Sequence, residues 1–149
     1  TIRASVSSGG VQANTHSDRT SLSNNGRYVA FVSGANNLVP GDTNNVSDVF
    51  IRDTQNFTTT RVSVASDEIQ GNYSSDRPFI SGTGRFVVFE SEATNLVNPD
   101  NNNVTDVFIR DLFVHSPKNN KKTFIFTRNI DNVTFLILSG RKKTHKKTS

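Results

Sequence analysis

The sequence predicts an all-β fold built from two tandem copies of one repeat. A shift of 58 positions aligns residues 2–53 with residues 60–111 without a gap, and roughly 29 of the 52 aligned pairs are identical, which indicates an internal duplication. In both copies, short runs of β-branched and aromatic residues alternate with turns that contain Asn and Gly. No stretch places apolar residues at helical spacing between capping residues.

The first two predicted strands of each repeat flank a tight turn. In the first repeat, Thr20–Ser23 precedes the turn Asn24-Asn25-Gly26, and Arg27–Ser33 follows it. Asn and Gly readily adopt the positive φ that such turns need. The second repeat has the same order in Pro78–Ser81, Gly82-Thr83-Gly84 and Arg85–Ser91.

The third and fourth strands complete the repeat. Ser47–Asp53 and Thr105–Asp111 alternate apolar and polar residues, which is the period of a half-buried strand. Thr58–Ser66 predicts a fourth strand. Four short antiparallel strands with such turns are typical of one β-propeller blade, which buries its faces by stacking on neighbours. We therefore predict propeller-type blades in an incomplete propeller of about two blades, since closed rings have about four to eight.

The same segments resemble a known family of repeats. Ser23-Asn24-Asn25-Gly26-Arg27-Tyr28-Val29-Ala30-Phe31 is similar to the blade signature Ser-x-Asp-Gly-Arg-x-Val/Ile-Ala-Phe of TolB-like, WD-like propellers, and Asp48–Asp53 resembles a strand of those repeats. The loop Asn37–Asn44 is similar to a subgroup in large bacterial exported proteins. The resemblance covers residues 1 to about 114. It departs at Asn25 and Thr83, where Asp is usual.

The chain divides by composition into a repeat region, residues 1–116, and a basic tail, residues 117–149. The two repeats span about residues 2–59 and 60–116, and carry eight Arg against twelve acids, whereas the tail carries nine basic residues against one acid. We expect the tail to be partly disordered or to supply one or two extra strands. Its two β-prone stretches, Thr123–Thr127 and Val133–Leu138, are candidates for the outer strand that the second blade lacks.

Two interpretations of the basic tail stay open. Lysine clusters release counterions from phosphates, so the tail is a candidate for binding nucleic acid or an anionic surface. Alternatively it is a non-homologous, solvated end. We favour the second interpretation, because Lys118-Asn119-Asn120-Lys121-Lys122 stands where the repeat requires a strand. Nucleic acid is therefore not the expected partner.

Composition excludes several classes of protein. The chain has no Cys, so disulfides, zinc–thiolate sites and cysteine nucleophiles are excluded. It has no apolar run of about 18 residues, so we predict no membrane span. It also has no Met, which we interpret as a sign of a processed product or a fragment of a longer protein.

Each repeat carries a loop rich in Asp and Asn before its third strand. Oxygen ligands at alternating loop positions suit a hard cation such as calcium, although the spacing is not that of an EF-hand. The same residue types also close loops by hydrogen bonding to nearby backbone amides, and we favour that interpretation. The candidate calcium ligands are Asp42, Asn44 and Asp48 in the first loop and Asp100, Asn102 and Asp106 in the second.

No catalytic residue is predicted. Asp18-Arg19 recurs as Asp76-Arg77, and Arg52-Asp53 recurs as Arg110-Asp111. An active site uses one copy of each group, so pairs present in both repeats are predicted to be ion pairs or turn anchors. The sequence also has no nucleophile elbow of the Gly-x-Ser-x-Gly type and no phosphate-binding glycine loop.

The resemblance implies a non-catalytic scaffold that binds a protein or glycan partner outside the cell, in the periplasm or at the cell envelope. One alternative is the propeller portion of a hydrolase, a peptidase or glycosidase whose catalytic residues lie outside this segment. Another alternative is a calcium-dependent adhesion module. Because two blades cannot close a ring, exposed blade edges also predict self-association.

Overall fold

A computed structural model describes residues 1–113 and, beyond them, the backbone of two short strands at 123–124 and 137–138. The chain separates into two compact units, Thr1–Phe113 and Val114–Ser149. Most of the basic tail, including most of its two β-prone stretches, lies outside the described residues. Within the described part of the chain, no helix is long and apolar enough to cross a bilayer.

The fold of the first unit is all-β, as predicted. Its strands form two antiparallel sheets in which each strand pairs with its neighbour in sequence. The first sheet contains β1 (Ser17–Leu22), β2 (Tyr28–Ser33), β3 (Asp48–Asp53) and β4 (Thr58–Arg61). The second sheet contains β5 (Ser75–Ile80), β6 (Phe86–Ser91) and β7 (Asp106–Asp111). In the second unit, β8 (Thr123–Phe124) pairs with β9 (Ile137–Leu138) in a sheet of their own.

The turn between the first two strands of each sheet has the predicted chemistry. Gly26 has φ 70° and Gly84 has φ 74°, values that glycine adopts without steric cost. A serine before each turn stabilises the return of the chain. The Ser23 hydroxyl accepts a hydrogen bond from the amide of Tyr28 at 3.0 Å, and Ser81 accepts the equivalent bond from Phe86 at 3.0 Å.

The first strand of each sheet begins three residues before its predicted start and contains a bulge. The pairing of β1 with β2 shifts between Asp18 and Ser21, and Arg19 takes a φ of 47°. The second sheet repeats this irregularity, with Arg77 at φ 48°. A bulge interrupts strict alternation along the strand, so the periodic pattern alone identified only the regular half of each strand.

The acidic and basic side chains that stand next to each other at the end of the third strand in both repeats do not form an ion pair with each other. Each binds a residue elsewhere in the fold. Asp53 binds Arg27 across the sheet, with Nη2 donating to Oδ2 at 2.7 Å, and Asp111 binds Arg85 in the same geometry at 2.7 Å. Arg52 instead donates to the carbonyl of Ser7 at 3.0 Å. Successive side chains of a strand point to opposite faces, so neighbours in sequence do not meet.

The main core lies between the two sheets and leaves one face of the second sheet open. Val49 and Ile51 of β3 are 0% and 6% exposed in this core. Their equivalents in β7, Val107 and Ile109, are 70% and 68% exposed. The residues are the same in both repeats, so the difference comes from the neighbour: the first sheet is covered by the second, and this face of the second sheet is not covered.

The second sheet also has one strand fewer than the first. β4 pairs with β3 through four residue pairs, whereas β7 is the last strand of its sheet within the described residues. β8 and β9 pair with each other in a two-stranded sheet. The expectation that the tail supplies an outer strand falls mostly on residues outside the described part of the chain, and it stays a prediction.

Candidate functional site

The first acidic loop, Asp42–Asp48, closes around an arginine. Arg61, at the end of β4, places Nη2 3.0 Å from Asp42 Oδ2 and Nε 3.4 Å from Asp48 Oδ2. These are ion-pair distances without the angles of a hydrogen bond, since Nε and Nη2 of Arg61 have no hydrogen-bond partner. All three side chains are almost fully buried. A cation that belongs to the chain therefore already faces both predicted calcium-binding carboxylates.

The remaining polar groups of this loop are also bound within the protein. Ser63 donates its hydroxyl to Asp48 Oδ1 at 2.6 Å, and Asn44 donates from Nδ2 to Asp48 Oδ2 at 3.1 Å and to the carbonyl of Gly71 at 2.9 Å. Asn44 Oδ1 also accepts a hydrogen bond from the amide of Val46 at 3.4 Å, which is the loop-closing bond to a nearby backbone amide that is expected of Asn.

Burial is the largest cause of the shifts in the pKa values of Asp42 and Asp48. It raises the pKa of Asp42, although Arg61 acts in the opposite direction. It also raises the pKa of Asp48, although the hydroxyl of Ser63 and the charge of Arg61 favour the ionised form. One arginine beside two buried carboxylates leaves the cluster with a charge of about −1 when both are ionised.

The second acidic loop, Asp100–Asp106, lies at the open end of the second sheet. Asn102 donates from Nδ2 to Asp106 Oδ2 at 3.2 Å, which repeats the bond between Asn44 and Asp48. No strand equivalent to β4 follows within the described residues, so no arginine stands where Arg61 stands in the first loop. Asp106 is half-buried, whereas Asp48 is fully buried.

Each acidic loop has two carboxylates and one Asn side chain among its predicted calcium ligands. Across the described residues, no group of three or more His, Cys, Asp or Glu side chains is placed to hold a metal ion. Calcium binding by Asp42, Asn44 and Asp48, or by Asp100, Asn102 and Asp106, stays a prediction.

A second candidate site is a shallow polar groove on the second repeat, with a volume of about 480 Å³. The residues that line it are Asn72, Tyr73, Glu92, Thr94, Asn103, Val104 and Thr105. Tyr73 is 53% exposed, so about half of its surface is open to solvent. Glu92 is the only charged residue of the lining.

The base of the groove is part of the common repeat. Asn72 donates from Nδ2 to the Thr94 hydroxyl at 2.9 Å, and its Oδ1 accepts from the Thr94 amide at 2.9 Å. In the first repeat, Asn14 donates from Nδ2 to Asn36 Oδ1 at 2.7 Å. These bonds hold the loops before β5 and after β6 together, and they hold the equivalent loops of the first repeat together in the same way.

The two residues that give the groove its chemistry are specific to the second repeat. Tyr73 and Glu92 align with Thr15 and Gly34 of the first repeat. The blade therefore forms without an aromatic ring or a carboxylate at these positions. A residue that the fold does not require is a better candidate for function than one that occurs in both copies.

The groove can offer an aromatic face, a hydroxyl and a carboxylate to a ligand. Tyrosine combines a flat apolar ring with a polar tip, and a carboxylate accepts several hydrogen bonds from hydroxyl groups. No basic residue is among the described residues that line the groove, so an anionic ligand would meet Glu92 there without a compensating charge from them.

Sequence reasoning missed Tyr73 and Glu92, although the signal was present. Identities between the repeats mark residues that both copies of the fold share, and the informative positions here are those where the copies differ. Of the differing positions, only a structure shows which lie together, because Tyr73 precedes β5 and Glu92 follows β6. No protein-family model and no curated protein matches this chain.

Proposed function

We propose that this chain is a non-catalytic repeat scaffold that binds an uncharged oligosaccharide in the groove of its second repeat. The observation that carries the proposal is the pair Tyr73 and Glu92, which stands at the groove where the first repeat has Thr15 and Gly34. The ring of Tyr73 offers a stacking surface for the apolar face of a sugar. Glu92 and Thr105 offer acceptors for its hydroxyl groups.

Binding accounts for this groove better than hydrolysis does. Glycoside hydrolysis generally uses two carboxylic acids on opposite sides of the bond that is cleaved. Glu92 is the only carboxylate among the lining residues. The resemblance to exported propeller repeats supports the same proposal, since a glycan ligand fits a protein that acts outside the cell.

Tyrosine fluorescence can test the proposal because the chain has only two Tyr and no Trp. The variant Tyr28→Phe leaves Tyr73 as the only tyrosine, and the second repeat already carries Phe86 at the equivalent position. Titration with soluble oligomers of glucose and of N-acetylglucosamine should change this fluorescence with saturation. An oligomer of a uronic acid should bind at least about tenfold more weakly, since its carboxylates meet Glu92.

Two variants convert the groove to its counterpart in the first repeat and serve as matched controls. Tyr73→Thr and Glu92→Gly introduce the residues that the same fold carries at positions 15 and 34. Each should reduce the affinity measured by calorimetry by about tenfold or more without changing the melting temperature. Equal binding by the unaltered chain and Tyr73→Thr, or no binding of any neutral oligomer, would overturn the proposal.

A further inference from the structure

Within the described residues, no strand pairs with the outer side of β7 from Asp106 to Arg110, whereas β4 pairs with the outer side of β3. In the first sheet, β4 lies along β3, and the amide of Val62 donates to the carbonyl of Val49 at 2.7 Å. The equivalent strand β7 is the last of its sheet within the described residues. An edge of this kind is a template for pairing with another strand.

Apolar positions that are buried in one repeat are exposed in the other, on opposite sides of the two-sheet unit. Ile80 is 2% exposed because it packs in the core between the sheets, whereas its equivalent in the first repeat, Leu22, is 58% exposed. On the other side, Val107 and Ile109 are exposed although their equivalents in β3 are buried. In the core between the sheets, the side of the first sheet that carries Val49 packs on the side of the second sheet that carries Ile80. The same packing would place the side that carries Val107 in one molecule on the side that carries Leu22 in another.

The chain itself contains a second copy of the strand that β7 lacks. Residues 1–6, Thr-Ile-Arg-Ala-Ser-Val, align with residues 59–64, Thr-Thr-Arg-Val-Ser-Val. The chain thus has two strands of this type and two edges that accept one, β3 and β7. Among the described residues, the outer edge of β3 is paired with β4, and no strand lies along the outer edge of β7.

Residues 1–6 already have part of the conformation that they would need. Arg3 donates to the side chain of Gln12, and the equivalent Arg61 donates to Gln70. Arg61 also contacts the two carboxylates of the first acidic loop, whereas Arg3 is exposed. The neighbouring Ile2 is 73% exposed. The local bonds of this segment thus match those of its counterpart, and in the described part of the chain none of its residues pairs with a strand of either sheet.

We propose that residues 1–6 of a second copy of this chain bind along β7 as the fourth strand of the second sheet. Because Arg61 pairs with Phe50 and Thr60 pairs with Ile51, the shift between the repeats places Arg3 opposite Phe108 and Ile2 opposite Ile109. Two exposed isoleucines become cross-strand neighbours. Such pairs contribute to the stability of a sheet.

Charge complementarity supports this register. Arg3 of the second copy occupies the place of Arg61, so it lies beside Asp100 and Asp106 of the second acidic loop. Ser5 occupies the place of Ser63, whose hydroxyl binds Asp48 at 2.6 Å in the first sheet. The second acidic loop thereby receives the arginine and the hydroxyl that it lacks within the described residues.

The chain's own continuation lacks the residues for this role. In the repeat frame, residues 117–122 would follow β7 as its fourth strand, and their sequence is Pro-Lys-Asn-Asn-Lys-Lys. Asn119 stands at the position of Arg61, and Lys121 stands at the position of Ser63. A lysine at that position brings a charge in place of a buried hydroxyl.

The proposed contact is head-to-tail. Arg19 of the first sheet pairs with Asp76 of the second, and the same step places Arg77 of one copy beside Asp18 of the next. One molecule offers its edge β7 and the other offers its residues 1–6, so the first molecule keeps its own residues 1–6 free and the second keeps its own β7 edge free. Contacts of this type add further copies until a ring closes or an open fibre forms.

Sedimentation equilibrium of the full chain and of two variants tests the proposal. The mass of the unaltered chain should rise with concentration in steps of one chain. Arg3→Glu damages only the strand, and Ile109→Lys damages only the edge, so each variant alone should stay monomeric. An equal mixture of the two should form a dimer and nothing larger, because it contains one intact strand and one intact edge.

Ile69→Lys is the matched control for an added surface charge. Ile69 lies in the segment that connects β4 to β5, and it is 56% exposed. This variant should therefore associate like the unaltered chain. Circular dichroism checks that every variant is folded, and Ile2→Lys replaces Arg3→Glu if that variant is not. The proposal is overturned if the unaltered chain is monomeric at every concentration, if Arg3→Glu associates normally, or if the mixture stays monomeric.

Discussion

Arg61 sets the chemistry of the first acidic loop. Its guanidinium lies between Asp42 and Asp48, in a cluster where all three side chains are nearly inaccessible to water. Buried carboxylates are costly without a partner, and this arginine is the partner that both share. The loop is therefore held by a cation on the next strand, which connects the loop before β3 to β4.

Replacement of Arg61 with Met should lower the free energy of unfolding by about 3 kcal/mol or more, because two buried carboxylates lose their cation. The matched control is Arg77→Met, which removes the exposed ion pair with Glu90 and should cost less than about 1 kcal/mol. Urea unfolding followed by circular dichroism measures both. Equal losses in the two variants would contradict the role given to the buried cluster.

Asp53 closes the turn after β3 by accepting hydrogen bonds from several donors. Arg27 donates from Nε and Nη2, and the amides of Gln55 and Asn56 donate at 2.9 Å and 3.1 Å. The hydrogen bond from Arg27 is the largest cause that lowers the pKa of Asp53 to about 2. The ionised form is thus favoured in the folded chain over the unfolded one.

The pH dependence of stability follows from the lowered pKa of Asp53. Because the folded value is below the ordinary value near 3.8, the stabilisation is complete above that pH and is lost as the pH falls towards 2. Asp53→Asn should therefore lower the melting temperature at about pH 5, and the difference from the unaltered chain should shrink by about pH 2. A difference that does not change with pH would refute this assignment.

At the scale of the elements, the sequence predicts a strand well where the turn residues before it and the composition of the strand itself indicate the same boundary. The turns at Gly26 and Gly84 and the strands that follow them are close to the predicted ones. The register of β2 with β3 is regular over six residue pairs. These features depend on residues close together in sequence, so local patterns are sufficient to predict them.

Other elements depend on contacts that a sequence does not display. The bulge at Arg19 interrupts the alternation of inward and outward side chains, so a two-residue period does not identify the first half of β1. The partner of Asp53 is Arg27 and not its neighbour Arg52, because pairing across the sheet decides which side chains meet. The groove needs Tyr73 and Glu92 on separate loops to come together. Each of these requires the register of the sheet, which only the folded chain supplies.

At the scale of the whole unit, the exposure of equivalent side chains differs because the first sheet is packed against the second on the face concerned and the second is not. Val49 and Val107 are the same residue in the same strand position, yet one is fully buried and the other is 70% exposed. Apolar burial stabilises a fold by about 25 cal/mol for each Å² removed from water. The second sheet lacks this contribution on one face, so the unit gains stability from any neighbour that covers it.

Thermal unfolding at several protein concentrations tests this conclusion for the whole molecule. If association occurs only between folded chains, the melting temperature of the unaltered chain should rise with concentration, with a gain in stability of at most about 1.4 kcal/mol for each tenfold increase. The melting temperature of Ile109→Lys should not depend on concentration, since the charge at this exposed position blocks the open face. Ile69→Lys should behave like the unaltered chain. Reversible melting that is independent of concentration in all three proteins would show that the open face of the second sheet does not contribute to stability through association.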